Sequence, residues 1–386
     1  MSATHSYHPA PAPLGGKLVT PFTVILAVLV VIAFVILGIR FVYGIGAVTN
    51  VNDGYTWGIW VVYDVMIGSA FACGGYTMAL LVYIFNKGEY HPMVRPALLA
   101  SLFGYTLAGA SVIFDLGRYW NTWHMFWPGY AQVNSVMFEV AVCITAYIFV
   151  MWIEFSPAFL EKFGLKNLKK KLGKVLFFII ALGVLLPSMH QSSLGSLLVV
   201  FGYQVHPLWQ TMLLPLLYLM TAVTIGFAIV IFEACLSSSG FRRPLEMHLL
   251  TKISRLMMGL VAVYLVVRLV DLAVRGALGY MFELSVEAFW FWVEMGLFIV
   301  PLALLASSVA RRNPAKLFIS AFCLLLAGFM LRINSYLVGL ETGPGWHYFP
   351  SVPEIMVSVG MIALEILGYI ILVRYLPILP KEEKSI

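Results

Sequence analysis

Ten stretches of this chain are apolar over lengths close to twenty residues, and that pattern dictates the fold class. Hydrocarbon offers no hydrogen bonds, so a chain inside it must satisfy its own backbone, and a helix needs about 20 residues to cross. The stretches lie at approximately 21–43, 57–85, 95–115, 131–153, 174–189, 208–235, 252–275, 286–309, 315–337 and 354–376. The fifth is short and is expected to end at Pro187. The run after it, 192–203, is too short to span and is expected to lie in the interface or to re-enter. The last has a local start signal, because Ser351-Val-Pro-Glu354 reads as a capping box with proline in the first turn. The expected fold is therefore all-α and polytopic, with about ten transmembrane helices.

Composition agrees with this reading. The chain is 61% hydrophobic and only 11% charged, with a mean hydropathy of +0.92 and a net charge of +6. Lys17, Lys87, Arg95, the Lys162–Lys174 cluster, Arg242, Arg243, Lys252, Arg255, Arg311, Arg312, Lys316, Arg374, Lys381 and Lys384 all fall on one side of the alternating spans. Arg40, Arg118, Arg268, Arg275 and Arg332 belong to the other half. The positive-inside rule then puts both termini in the cytoplasm. The basic residues form no nucleic-acid patch. Residues 1–20, rich in Pro, Ala and Gly, read as a flexible cytoplasmic tail, 21–380 as a single membrane domain and 381–386 as a second tail. The first tail lacks a basic signal-peptide region, and the apolar run behind it lacks a small-residue cleavage site. Cys73, Cys143, Cys235 and Cys323 stand alone in apolar segments, so this chain is not expected to hold an iron–sulfur cluster or a zinc site by cysteine.

The outward loops are poor in charge and rich in Trp, Tyr, Gly, Asn and His. The most concentrated is Asp115 to Glu139, DLGRYWNTWHMFWPGYAQVNSVMFE. One reading of such loops is an interfacial aromatic girdle and nothing more. A girdle predicts aromatics at both faces, however, and the inner loops are comparatively poor in Trp. The asymmetry favours a binding and docking surface on the outer side, and the composition of 115–139 suits a flat aromatic or quinonoid ligand.

Ionisable side chains within spans are costly and become functional candidates by default. Asp64 lies in the second span and Tyr105 in the third, about 15 Å of helix below Asp115. Glu139, following Asn134-Ser135, falls eight residues into the fourth, about 12 Å deep and beyond the reach of a short carboxylate stem. Glu233 sits in the sixth span, Glu294 in the eighth and Glu365 in the tenth. Arg268 and Asp271 in the seventh are three apart and can pair on one face, either as a structural ion pair or within a proton relay. Tyr105 can donate its hydroxyl to a ligand carbonyl or simply pack against a neighbouring backbone.

A b-type haem needs axial histidines projecting from helices into the core. His5 and His8 lie in the tail, His91 and His248 in inner loops, and His124, His206 and His347 in outer loops. Only His190 is near a helix end. Bound haem is not expected, and no nucleotide-binding fingerprint appears. If this protein handles electrons, a partner must deliver them and a membrane carrier must receive them.

The runs HPMVRPALLASLFGY (91–105), DLGRYWN (115–121), VNSVMFE (133–139), MHQSSLGSL (189–197) and VHPLWQ (205–210) resemble the NrfD/polysulfide-reductase membrane-anchor family, in particular its hydrogenase-2-type [NiFe] members. The resemblance runs from Pro13-Leu14-Gly15-Gly16 to Leu376-Pro377-Ile378-Leu379-Pro380. It implies a haem-free, quinone-reactive anchor of about ten helices in packed four-helix bundles, in a bacterial inner membrane. The partners implied are a periplasmic ferredoxin-like [4Fe–4S] protein and the large and small [NiFe] hydrogenase subunits, together forming a hydrogen:quinone oxidoreductase. Menaquinone or ubiquinone is then the substrate. The quinone-site positions implied are Tyr105, Glu139 and His190, with Asp115 and Arg118 adjoining and Asn134 beside them. Proton uptake is assigned to Asp64, Glu139, Glu233, Arg268, Asp271, Glu294 and Glu365. Two rival readings are a secondary transporter or proton channel, and a passive anchor that leaves quinone chemistry elsewhere.

Overall fold

A computed structural model describes residues 11–55 and 57–380 of the chain. Among them ten helices are long and apolar enough to cross a membrane: Pro21–Tyr43, Trp60–Ile84, Gly88–Asp115, Val136–Lys162, Leu176–Gln204, Leu214–Phe241, Met247–Val274, Val286–Leu304, Pro314–Val338 and Val352–Tyr375. They are numbered here as spans one to ten. The protein is an all-α, multi-pass membrane protein.

Spans two to five pack into one bundle and spans six to nine into another. The bundles meet where span six lies against spans two and five, and where span nine reaches span two. Spans one and ten pair outside this core, against span three. Burial follows the same order. The most apolar window of span two is 83% buried and that of span one only 22%. Span two is thus a core helix, and span one turns Val24, Ile25, Val28 and Val31 outward, as lipid contact requires.

Three expectations need correction. Span five does not stop at Pro187: one helix runs from Leu176 to Phe201 with Pro187 inside it, and residues 192–201 continue that helix. Packing from neighbouring helices tolerates a proline there that an isolated helix would not. Span four begins at Val136, not 131, which leaves Glu139 in its first turn. Residues 11–20 are tied down: Pro11–Ala12 pairs antiparallel with Leu379–Pro380, and Leu14 and Gly15 donate to the carbonyls of Val373 and Arg374 at 3.3 and 3.1 Å. Residues 1–10 and 381–386, with Lys381 and Lys384, lie outside the described residues. Span two is wound irregularly, a feature its sequence did not announce.

The expected capping box is present. Ser351 caps the tenth span, and Glu354, 1% exposed, accepts from the Ser351 and Asn50 amides at 2.7 and 3.0 Å. Its other oxygen accepts from the Tyr348 hydroxyl at 2.7 Å. Burial, reinforced by this carboxylate, raises the Tyr348 phenol well above its ordinary range.

Candidate functional site

Span two is wound with the wider π spacing over Trp60–Ile67 and Leu80–Ile84, and its α-helical middle is interrupted at Ala72-Cys73. Small residues set the break. A Cβ on Gly75 would meet the Ser101 hydroxyl at 3.1 Å and the Leu98 backbone at 3.2 Å, and one on Gly104 would meet Ala72 at 2.7 Å. Spans two and three therefore touch backbone to backbone, as small-residue membrane interfaces do. Irregular backbone at this depth survives only if its polar groups find partners. Here side chains supply them: Arg332 Nε donates to the Met66 carbonyl at 2.8 Å, Cys73 to that of Ser69 at 3.3 Å and Thr77 to that of Gly74 at 3.0 Å.

Beside the break lies a fully buried polar cluster. Tyr105, His190 and Gln191 are each 0% exposed. His190 Nδ1 lies 3.0 Å from the Leu186 carbonyl, which can only accept, so Nδ1 carries the proton and Nε2 offers a lone pair. Tyr105 donates to that lone pair at 3.0 Å. The Gln191 amide points at it from 3.1 Å and donates to the Ser69 hydroxyl at 2.8 Å. The Cys73 sulfur is 3.5 Å from the Tyr105 oxygen, and the Tyr147 ring packs edge-on against Tyr105 with centroids 4.5 Å apart. A phenol facing a neutral imidazole lone pair is a pair that can pass a proton.

Arg332 completes the cluster. It is 0% exposed and lies over the Tyr218 ring at 5.0 Å. Its guanidinium bonds the Met66 and Gly328 carbonyls and, at 3.2 Å, the Gln191 side-chain oxygen. A buried cation held by carbonyl dipoles rather than a carboxylate keeps its positive field within the site.

The other expected ligand-site residues lie nearer the aromatic end. Asp115 closes span three, half-buried, within the fields of Arg40 and Glu354. Arg118 and Asn134 are exposed, and Glu139 is half-buried in the first turn of span four. The expected depth of Glu139 is therefore wrong: it stands in the first turn of span four. So the six expected residues divide: Tyr105 and His190 touch, while Asp115 ends span three, Arg118 and Asn134 lie between spans three and four, and Glu139 opens span four. Arg40, 1% exposed, donates to the Phe114 and Leu116 carbonyls and so caps span three, with Tyr119 over it at 5.2 Å. In the loop, Tyr119 packs on Phe41, whereas Trp120, Trp123, Phe126, Trp127 and Tyr130 stay exposed.

The expected relay residues do not form one line. Glu233, Glu365 and Asp64 lie along spans six, ten and two. Tyr369 donates to Glu233, and Tyr63 lies within the fields of both Glu365 and Asp64. Glu294 belongs to the second bundle, where it accepts from Trp209 at 3.0 Å and Asn334 at 2.8 Å. Arg268 does not pair with Asp271. It donates to the Leu208 carbonyl at 2.8 Å and lies over Phe291, while Asp271 accepts from Thr211 at 2.6 Å and from Arg275 at 2.8 Å. The acid-then-base i,i+4 order of Asp271 and Arg275 is the favourable one on a helix, and it wins over the base-then-acid i,i+3 pair.

Sequence reasoning missed Gln191 and did not count Arg332 as a site residue. Arg332 carried a signal: it is an arginine deep in a span with no acid one turn away. Gln191 carried only its place beside His190.

Comparison with known proteins supplies the rest. Residues 47–339 match the family described as "Polysulphide reductase, NrfD". The chain is 47% identical to the probable Ni/Fe-hydrogenase 2 b-type cytochrome subunit of Escherichia coli (strain K12), over 96% of this chain and 95% of that one. It is 30% identical to a protein of Nitratidesulfovibrio vulgaris (Hildenborough), over 94% of this chain and 95% of the relative. The menaquinone reductase integral membrane subunit of the same organism is 26% identical over 88% of this chain and 87% of its own. By the extent of the family match and of the hydrogenase-subunit similarity, this chain belongs to the NrfD/polysulphide reductase family of integral membrane subunits.

Proposed function

We propose that this chain is the quinone-reactive membrane subunit of a hydrogen-oxidising complex in a bacterial inner membrane. Its aromatic end faces the periplasm, and both termini face the cytoplasm. A ferredoxin-like [4Fe–4S] protein, wired to the [NiFe] hydrogenase subunits, docks on the aromatic face and delivers electrons. The carrier is menaquinone or ubiquinone. Similarity to a hydrogenase subunit and to a menaquinone reductase subunit supports this reading. The observation that carries it is the Tyr105–His190 pair, a phenol donor and a neutral imidazole held 3.0 Å apart, both fully buried between spans.

Reducing a quinone to a quinol takes two electrons and two protons. In this reading the rim formed by Asp115, Arg118, Asn134 and Glu139 receives the headgroup under the 119–130 loop. Tyr105 donates to a carbonyl oxygen, His190 Nε2 handles the replacement proton, and Arg332 favours the negative charge that electron arrival brings. Protons come through the buried acids from the cytoplasmic side, with Asp64, Glu233 and Glu365 on one side of the molecule and Arg268, Asp271 and Glu294 on the other. Turnover then builds membrane potential, and it reverses under a large proton-motive force.

The printed name of the Escherichia coli relative includes "b-type cytochrome". Among the described residues, the histidines do not suit a bundle haem. Both nitrogens of His190 are engaged, and His206 Nδ1 accepts from the Leu208 amide at 3.3 Å beside the end of span six. We therefore route no step through haem.

The decisive experiment is extraction and identification of quinone from the purified complex, combined with hydrogen-driven quinone reduction in proteoliposomes. Bound quinone and a membrane potential that follows turnover are expected. A complex that binds no quinone and reduces none is a passive anchor, and substrate transport without partner subunits indicates a transporter.

A further inference from the structure

At the basic end of the bundle a cleft opens between spans three and six, with about 80 Å³ of space for water. Glu233, Ser237 and Arg243 form part of its wall, and Leu379–Pro380 crosses it. That segment is held by pairing with Pro11–Ala12 and by Arg243 donating to the Pro380 carbonyl. The segments 11–12 and 379–380 thus pair beside a water-sized opening whose lining includes an acid.

From the cleft a series of protonatable groups leads inward. Tyr369 donates its hydroxyl to Glu233. Glu365 lies four residues before Tyr369 on span ten, hence one turn further from the cleft on the same face. Its Oε1 is 3.5 Å from where a Cβ on Gly104 would stand, against the residue preceding Tyr105 and alongside Ala72 at the break in span two. Beyond it, span ten packs against the Trp60–Ile67 segment of span two, which carries Tyr63 and Asp64 side by side. Asp64 is 6% exposed, and its Oδ2 is buried with no hydrogen-bond partner. A buried carboxylate oxygen without a donor is costly, and apolar side chains would pack this seam at no such cost.

We propose that this cleft is the water-facing mouth of a proton route that runs through Glu233, Tyr369, Glu365, Tyr63 and Asp64, in that order, to the break beside Tyr105. The route rests on the quinone reading above and supplies the protons it consumes. One proton enters on Glu233, passes through the Tyr369 hydroxyl to Glu365, and each group returns to its starting state as the next proton arrives. The clasp of residues 11–12 and 379–380 keeps the mouth narrow.

The test uses the whole complex in proteoliposomes, with Glu233→Gln, Glu233→Asp and Tyr369→Phe. Hydrogen-driven reduction of a soluble dye, which stops at the partner subunits, and bound-quinone content report assembly. Glu233→Gln and Tyr369→Phe are expected to slow quinone reduction at least about ten-fold and to lower the membrane potential in proportion, with dye reduction and quinone content intact. Glu233→Asp restores much of the rate, and the solvent deuterium isotope effect grows in the slowed variants. Wild-type quinone turnover in both Glu233→Gln and Tyr369→Phe overturns the route and leaves the quinone reading standing. Equal losses of dye reduction, quinone content and quinone turnover mean a structural role and also overturn it. A wild-type complex that reduces dye but no quinone overturns both.

Discussion

The hydroxyl of Tyr105 lies 3.0 Å from Nε2 of His190, and the Leu186 carbonyl on the far side of the ring fixes which nitrogen is the acceptor. The pair joins spans three and five across the break in span two, so its geometry depends on three helices at once. Tyr105→Phe keeps the ring and its edge-on contact with Tyr147 but removes the one proton the pair can pass. Quinone turnover is expected to fall by about 10²-fold, in keeping with loss of a positioned proton donor. Thermal stability should change little. Steady-state assay beside a melting curve separates the two effects.

Arg332 holds the Met66 carbonyl and the Gln191 side chain, so it supports the backbone break and the acceptor side of the cluster together. Arg332→Ala removes those donors and opens a cavity in a fully buried position. A loss of about 3 kcal/mol is expected, since a hydrogen bond from a charged group is worth about 1.5–3 kcal/mol. Unfolding in detergent measures it, and a melting temperature equal to wild type would contradict this role.

Gly226 and Gly259 both lie within spans, yet they should respond to alanine with opposite sign. A Cβ on Gly226 would stand 2.7 Å from the Cys73 carbonyl and 2.8 Å from the Thr77 hydroxyl, whereas one on Gly259 would meet nothing within 4 Å. Gly226→Ala forces spans two and six apart at the break and should cost about 1–3 kcal/mol. Gly259→Ala should stabilise by about 0.5–1 kcal/mol through lost backbone entropy in the unfolded chain. Thermal unfolding of the two variants side by side checks the sign.

Length and hydropathy made the spans legible, because hydrocarbon leaves the backbone one economical conformation. They could not reveal the π turns of span two, since its residues are as apolar as those of a regular helix and the irregularity comes from contacts with spans three, six and nine. Pro187 misled for a related reason: its local cost is offset by tertiary packing that no window of sequence contains. Tyr105 and His190 were legible singly as costly polar groups, and the structure supplies their contact. Glu139 was misplaced because a helix start five residues later turns a deep acid into a rim acid.

Asp271 and Arg275 offer a direct check on a corrected pairing. Their side chains, 6% and 24% exposed, meet at 2.8 Å. A double-mutant cycle on Asp271→Asn and Arg275→Gln should give a coupling near 1 kcal/mol, the upper range for a partly exposed ion pair. The same cycle with Arg268→Gln in place of Arg275→Gln should give coupling within about 0.3–0.5 kcal/mol of zero, the scatter seen for independent sites. A large second coupling would restore the pairing read from the sequence.

Glu139 and Tyr105 should leave different kinetic signatures. Glu139 sits half-buried in the first turn of span four, where the proposed reading makes it part of the rim, while Tyr105 is 0% exposed beside the break. A rim carboxylate that helps seat a headgroup contributes alike to the bound substrate and to the transition state, so removing it raises KM and spares kcat. A buried donor acts only when the proton moves, so removing it lowers kcat and kcat/KM together. Glu139→Gln is therefore expected to raise the KM for quinone about five- to ten-fold, the effect of losing one hydrogen bond worth roughly 1–1.5 kcal/mol. Tyr105→Phe should leave KM within about two-fold of wild type. Quinone titrations of both complexes read the split directly. A fall in kcat for Glu139→Gln as deep as that for Tyr105→Phe would move the acid from the rim into the proton path.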